Sequence, residues 1–200
     1  MITTIIFDIG NVLADFTWKE HYESLGYTGE MLERLANATV RSNLWNEFDR
    51  GTLTVEALEE GCILNDPEIG ADIRRCFADV QGMLRRNDYA IPWIQELKQK
   101  GYRTLYLSNF SDRAEKEYAD KLDFRPFMDG GILSYEEKVI KPMPEIYQLL
   151  IDRYQLVPEE CVFLDDTERN LPPARALGIH TIHFKDLEQA KAELRKLGVE

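Results

Sequence analysis

The chain has few of the residues that staple small folds or bind metals through soft ligands. Among 200 residues there are three cysteines and three histidines. Cys62, Cys76 and Cys161 form an odd, scattered set with no CxxC pair. That excludes a disulfide framework or a zinc knuckle and fits free thiols in a reducing compartment. Basic residues are also short: 24 Lys and Arg stand against 36 Asp and Glu, a net charge of −12. A nucleic-acid partner would need a basic face, so that class is excluded, as is docking on an anionic membrane. No basic leader and no long apolar run is present, which predicts a cytoplasmic chain without a membrane span. An anionic small molecule is not excluded, because a metal ion and a single lysine can reverse the charge locally.

What is there is an ordinary globular apolar fraction, 44%, in a length that allows one good core or a core with a small inserted domain. Thr3 to Phe7 is a β-rich apolar run, expected as a buried strand. From about Trp18 to Arg86 charge is dense, Pro67 is the only proline, and apolar residues such as Met31, Leu32, Leu35, Val55 and Leu58 recur at helical spacing. The expectation there is a bundle of about four short helices, with turns at Gly51 and at Asp66-Pro67 and with Thr54 as an N-cap.

From Asn87 onward strand and helix signals alternate. Helices are expected over 92–100, 113–121, 144–154, 173–177 and 187–197. Strands are expected over 103–107, near Ile132, and over 161–164 and 180–184. Such alternation means a parallel sheet covered by helices on both faces. The fold class is therefore α/β, a Rossmann-like core of residues 1–15 and 87–200 interrupted by a small all-helical domain over 16–86.

Several apolar runs end in residues able to do chemistry. Ile5-Ile6-Phe7 ends in Asp8, and Cys161-Val162-Phe163-Leu164 ends in Asp165-Asp166. In open parallel sheets ligands bind at the carboxyl ends of the strands. Acids gathered there repel each other by about 4 kcal/mol per pair at 4 Å and an effective dielectric near 20. Such a cluster calls for a cation, and an all-oxygen donor set favours Mg²⁺. Each acid also has a plain reading: Asp8 could cap the turn that follows it, and Asp165-Asp166 could cap the helix at Pro172-Pro173. Ser108-Asn109, after Thr104 to Leu107, could cradle an anion with a hydroxyl and backbone N–H groups, or simply make a polar turn. Lys141, before Pro142, could orient Asp8 and screen phosphate charge, or lie in solvent like most lysines.

Taken in order, Phe7-Asp8-Ile9-Gly10-Asn11-Val12, Leu107-Ser108-Asn109, Lys141-Pro142 and Leu164-Asp165-Asp166 resemble the four motifs of the haloacid dehalogenase superfamily. The resemblance covers the whole chain and implies a core with an inserted helical cap (C1 type). It implies an Mg²⁺-dependent phosphatase of a small phosphate ester that works through an aspartyl-phosphate on Asp8. Asp8, Ser108 and Lys141 would be catalytic. Ser108, Asn109, Lys141, Gly10 and Asn11 would contact substrate. Asp8, the Gly10 carbonyl, Asp165 and Asp166 would hold the metal, Asp166 directly or through water. A monomer and a homodimer are both compatible with it.

One position departs from the pattern. Family phosphatases mostly carry a second aspartate two residues after the nucleophile, as general acid and base; here that residue is Gly10. Losing proton transfer costs roughly 10²–10⁴ in rate. Asp15 is the nearest replacement in sequence and His21 a remoter one. The Asp-Ile-Gly-Asn-Val form and the segment from Leu44 to Gly51 resemble a subgroup that includes an α-glucose-1-phosphate phosphatase, so a sugar phosphate is the expected substrate. Trp18, His21, Trp45, Phe48 and Arg50 are candidate selectivity residues, each equally readable as packing. Two other functions stand beside this one: a binding protein that has lost catalysis at Gly10, and a 2-haloacid dehalogenase, for which an acid pair would be superfluous.

Overall fold

A computed structural model describes residues 1–200. In chain order it contains β1 (Thr4–Phe7), β2 (Ala14–Phe16), α1 (Trp18–Ser24), α2 (Gly29–Ala38), α3 (Asn43–Asp49), α4 (Val55–Asn65), α5 (Gly70–Ala78) and β3 (Leu84–Arg86). There follow α6 (Ala90–Gln99), β4 (Arg103–Ser108), α7 (Asp112–Glu117), β5 (Gly131–Leu133), α8 (Ser134–Glu137) and α9 (Pro144–Tyr154). The chain closes with β6 (Cys161–Asp165), α10 (Leu171–Ala176), β7 (His180–His183) and α11 (Leu187–Lys196).

The main sheet has five strands in the order β5-β4-β1-β6-β7, all parallel. Side chains alternate across a strand, so β1 splits its apolar residues. Ile5 and Phe7 face one core with Trp93 of α6 and Leu194 of α11, and Ile6 faces the other with Tyr147 of α9 and Phe163 of β6. Phe7 meets Trp93 edge-on at 5.0 Å between ring centroids, and Tyr147 meets Phe163 at 5.9 Å. Covering both faces explains why these strands read as unbroken apolar runs. It also leaves only the strand ends for polar chemistry.

Residues 18–78 form five helices. Their apolar stripes, among them Leu32, Leu35, Leu58 and Ile73, join the core on the Phe7 side of the sheet. Thr54 caps α4 by accepting from the Ala57 N–H at 3.2 Å, as its sequence position predicts, and Ser111 caps α7 by accepting from the Ala114 N–H. Two findings depart from expectation. Ala14–Phe16 and Leu84–Arg86 pair as a short antiparallel ribbon where chain enters and leaves the helical stretch. Each strand is three residues long, too short to leave a period in the sequence. The helix expected over 113–121 spans Asp112–Glu117 and ends in a turn at Tyr118, whose own ring is buried in the core. No helix is long and apolar enough to cross a membrane.

Candidate active site

β1, β4 and β6 lie side by side, so their carboxyl ends form one edge. Asp8 follows β1, Ser108 ends β4 and Asp165 ends β6. The strand finishes at Asp165, which frees Asp166 from the alternation that would turn it to the opposite face. One oxygen from each of Asp8, Asp165 and Asp166 lies within 4.8 Å of the others.

Lys141 is the counterion. Its side chain is 1% exposed, with Nζ 2.6 Å from Asp165 Oδ2 and 2.9 Å from Asp8 Oδ1. The Asn109 amide holds the backbone of this lysine: Nδ2 donates to Lys141 O at 2.9 Å and Oδ1 accepts from Lys141 N–H at 2.7 Å. Asn109 therefore serves the site through its side chain as a clamp, while its own backbone N–H makes no bond in the protein.

The two oxygens of Asp8 have different surroundings. Oδ1 accepts from the Ile9 N–H at 2.7 Å and from Ser108 Oγ at 2.8 Å, besides meeting Lys141. Oδ2 has no partner within the protein. Burial pushes the Asp8 pKa up to about 7; Lys141 opposes the rise, and Asp165 and Asp166 add to it. One lysine is thus outnumbered by carboxylates.

Asp165 is fully buried, and Asn170 bridges both its oxygens at 3.0 and 3.1 Å while the Thr167 N–H donates to Oδ1 at 2.7 Å. Asn170 carries no obvious sequence signal beyond following the acid pair, yet its Oδ1 is buried without a partner. Asp166, unlike Asp165, lines the open cavity. Asn11 Nδ2 donates to Asp166 Oδ2 at 2.9 Å and Asn11 Oδ1 accepts from the Phe16 N–H at 3.0 Å. Asn11 lines the cavity, but its amide is engaged at both ends and its geometry suits holding Asp166 rather than contacting a ligand. Gly10 has neither its N–H nor its carbonyl bonded within the protein.

These residues floor a cavity of about 370 Å³ between the sheet edge and the helices. Its remaining walls are largely carbon, with Phe16, Trp45, Phe48, Phe77, Met83 and Phe110 prominent. Of the five selectivity candidates, Trp45 and Phe48 line it; the others do not. Trp18 lies under Arg41, His21 sits against Gly82 with Nε2 2.7 Å from Asp79 O, and Arg50 rests on Met143 Sδ at 2.9 Å. Asp15 is also outside. It points along the β2–β3 ribbon, paired with Arg85 at 3.0 Å and accepting from Asn87 Nδ2 at 3.0 Å. Sequence reasoning missed Asp49, which enters the cavity wall from the end of α3. Burial, and then the charge of Asp8, push its pKa up to about 7 against the opposing effect of Lys141.

A family model described as haloacid dehalogenase-like hydrolase matches residues 2–178, and the chain belongs to that family. The first curated relatives are much longer proteins, of which the chain spans between 10 and 28% of the length. Two others align end to end. The sesquiterpene phosphatase of Aspergillus oryzae is 28% identical over 199 residues, covering 96% of this chain and 94% of its own. The D-ribitol-5-phosphate phosphatase of Bacteroides thetaiotaomicron is 26% identical over 212 residues, covering 97% of each. Among solved structures, a haloacid dehalogenase family enzyme of Bacteroides thetaiotaomicron in complex with magnesium and inorganic phosphate shares the fold. Its TM-score is 0.70 at 23% identity, over 92% of this chain and 95% of that one.

Proposed function

We propose that this family member is a phosphatase of small phosphate monoesters, with Asp8 as its covalent nucleophile. The observation that carries this is the asymmetry of Asp8. Three donors fix Oδ1, and Oδ2 has none. A carboxylate held in this way presents its second oxygen as an oriented nucleophile. Asp8 Oδ2 attacks phosphorus and forms an aspartyl-phosphate, which water then hydrolyses. Lys141 Nζ and Ser108 Oγ hold phosphoryl oxygens, and the unpaired N–H groups of Gly10 and Asn109 add neutral donors around them.

The residues fit a hard divalent cation. The donor set is all oxygen, the Gly10 carbonyl, in the same cavity wall, is unbonded, and the orphaned Asn170 Oδ1 is an acceptor for an ion's water. Asp8, Asp166 and the Gly10 carbonyl would hold Mg²⁺, with Asp165 supporting them from behind through Lys141 and Asn170. When bound, Mg²⁺ supplies neutralising charge for phosphate and carboxylates. Residues 16–86 would act as a cap over the core of residues 1–15 and 87–200, excluding water and choosing the organic group.

The carbon-rich wall supports a refinement of the expected substrate. A bare sugar leaves its hydroxyls facing Phe16, Phe77 and Phe110, whereas an apolar alkyl or prenyl group would bury against them. The substrate we favour is therefore a phosphate monoester with an apolar organic half. The test is phosphate release from prenyl, alkyl, sugar and nitrophenyl phosphates, with Mg²⁺ and with EDTA, for wild type and Asp8→Asn. The expected result is Mg²⁺-dependent release that Asp8→Asn abolishes, with kcat/KM highest on the apolar esters. Release that survives Asp8→Asn overturns the nucleophile, and highest kcat/KM on sugar phosphates overturns the refinement. Halide release from 2-haloacids without phosphate release would establish the dehalogenase instead.

A further inference from the structure

The phosphatase reading leaves a proton unassigned. An alkoxide leaving group needs a proton as the phosphorus–oxygen bond breaks, and water needs a base when it attacks the aspartyl-phosphate. Gly10 has no side chain to do either. Asp15 and His21 are held outside the cavity by their own partners.

We propose that Asp49, at the end of α3 and in the wall of the same cavity, is the general acid and base of this reaction. Three observations carry it. Asp49 lines the same cavity as Asp8, Ser108 and Lys141. The residue is half-buried, and its carboxylate oxygens make no hydrogen bond or ion pair in the protein; only its backbone carbonyl is bonded. The backbone around it is fixed to the core: Ser134 Oγ donates to Asp49 O at 2.5 Å and Lys138 Nζ donates to Gly51 O at 2.7 Å. Both partners belong to the segment that follows β5, so the helix end is held against the sheet edge that carries Asp8.

The charged groups that share the cavity with Asp49 are Asp8, Asp166, Lys141, Arg113 and Arg169, and Arg113 is paired with Glu117 at 2.6 Å. Asp8 and Lys141 face it from the sheet edge. Glu47 and Arg50 on its own helix are paired with each other at 3.4 Å, and Lys138 is committed to Gly51 O.

The chemistry then closes. As Asp8 Oδ2 forms its bond to phosphorus, the bond to the leaving oxygen breaks with its electron pair on that oxygen. The proton of Asp49 goes to it and the alcohol departs. Asp49, now a carboxylate, takes a proton from water as the water oxygen bonds to phosphorus. The Asp8–phosphorus bond breaks with its electrons returning to Asp8, and phosphate leaves with Asp49 reprotonated. This also accounts for Gly10. A Cβ there meets nothing within 4 Å, so the space where a second aspartate would stand is open to an acid arriving from the other side.

The inference rests on the phosphatase reading, and its test separates the two. Wild type, Asp49→Asn, Asp49→Glu and Asp49→Asn combined with Gly10→Asp are compared on p-nitrophenyl phosphate and on a simple alkyl phosphate. p-Nitrophenolate leaves without a proton, so Asp49→Asn should still give one nitrophenolate per enzyme in a rapid burst. Steady turnover should then fall by about 10²–10⁴, the usual worth of a general base. On the alkyl ester neither burst nor turnover is expected. Asp49→Glu should keep part of the activity, and Gly10→Asp should restore turnover to Asp49→Asn. Wild-type turnover with an unaffected Asp49→Asn overturns this inference alone. Loss of the burst together with alkyl turnover, in a variant that melts like wild type, overturns it too, since Asp49 would then only shape the cavity. A wild type that releases no phosphate from any ester overturns the phosphatase reading and this inference with it.

Discussion

Replacing Lys141 by methionine removes the only positive charge between two buried carboxylates while keeping most of the side-chain volume. Nζ lies 2.6 Å from Asp165 and 2.9 Å from Asp8. At an effective dielectric of about 20 each contact is worth about 6 kcal/mol of attraction. Most of that offsets the cost of taking three charges out of water, so the pair is a weak argument for stability while intact. Breaking it is different, because two carboxylates are then left unpaired. The expected loss is about 3–5 kcal/mol. For a chain of this size that corresponds to a fall in Tm of about 6–20 °C.

The loss should depend on pH in a definite direction. Without Lys141 the opposing charge on Asp8 is gone, so its folded pKa, already raised by burial, lies further above the unfolded one. A raised carboxyl pKa costs nothing below the unfolded value and destabilises progressively as pH rises towards the folded value. Asp8 already stands near 7 with the lysine present. The gap between wild type and Lys141→Met should therefore be widest at pH 8 and narrower at pH 5.5. Thermal unfolding followed by circular dichroism at the two pH values measures it. A Tm unchanged at pH 8, or a gap as large at pH 5.5 as at pH 8, would refute the charge argument and make Lys141 a packing residue.

Two other substitutions probe the supports of the site. Asn170→Ala removes the amide that bridges both oxygens of Asp165 and should weaken Mg²⁺ binding by about 10–100-fold, read by titration calorimetry; unchanged affinity would remove Asn170 from the metal's surroundings. Gly51 has φ +74°, and a Cβ there would meet Tyr135 O at 2.7 Å and Lys138 Nζ at 2.6 Å. Gly51→Ala should cost about 1–2 kcal/mol for the backbone conformation alone and should shift the α3 end that carries Asp49, so kcat falls along with Tm; a variant that melts and turns over like wild type would contradict the tight docking.

Much of the site was legible because of how a parallel sheet is built. Strands buried on both faces admit only carbon along their length, so the first carboxylate after an apolar run marks the strand's end. Asp8, Ser108 and Asp165 were found that way, and the sheet order then brings them together. Lys141 could be singled out only as a lysine beside a rigid turn; its burial depends on the Asn109 clamp, which spans the interior. The β2–β3 ribbon was invisible because neither strand is long enough to show alternation. The order within the acid pair was also hidden. Both acids follow the same strand, but Asn170 and Lys141 draw Asp165 inward while Asn11 holds Asp166 at the cavity.

Nearness in sequence does not bring a side chain to Asp8 in this fold. Asp15 and His21 lie near Asp8 in the chain and were the natural candidates to stand in for a carboxyl at Gly10. The chain turns at Asn11, however, and the ribbon that follows carries Asp15 to Arg85 and Asn87. His21 is drawn the other way, to the Asp79 carbonyl. Asp49 is separated from Asp8 by two helices and shares no motif with it, yet the contacts from Ser134 and Lys138 bring the end of α3 to the strand edge. A residue on an inserted helix can reach a site only through such docking, and docking leaves no periodic trace. The sequence offers two hints, an open position at Gly10 and the Leu44–Gly51 segment, which contains Asp49 and stands out only by its resemblance to a subgroup. On the phosphatase reading such a gap calls for a proton-transfer group from elsewhere in the fold, and the unpaired Asp49 carboxyl in the cavity wall is the group proposed for it.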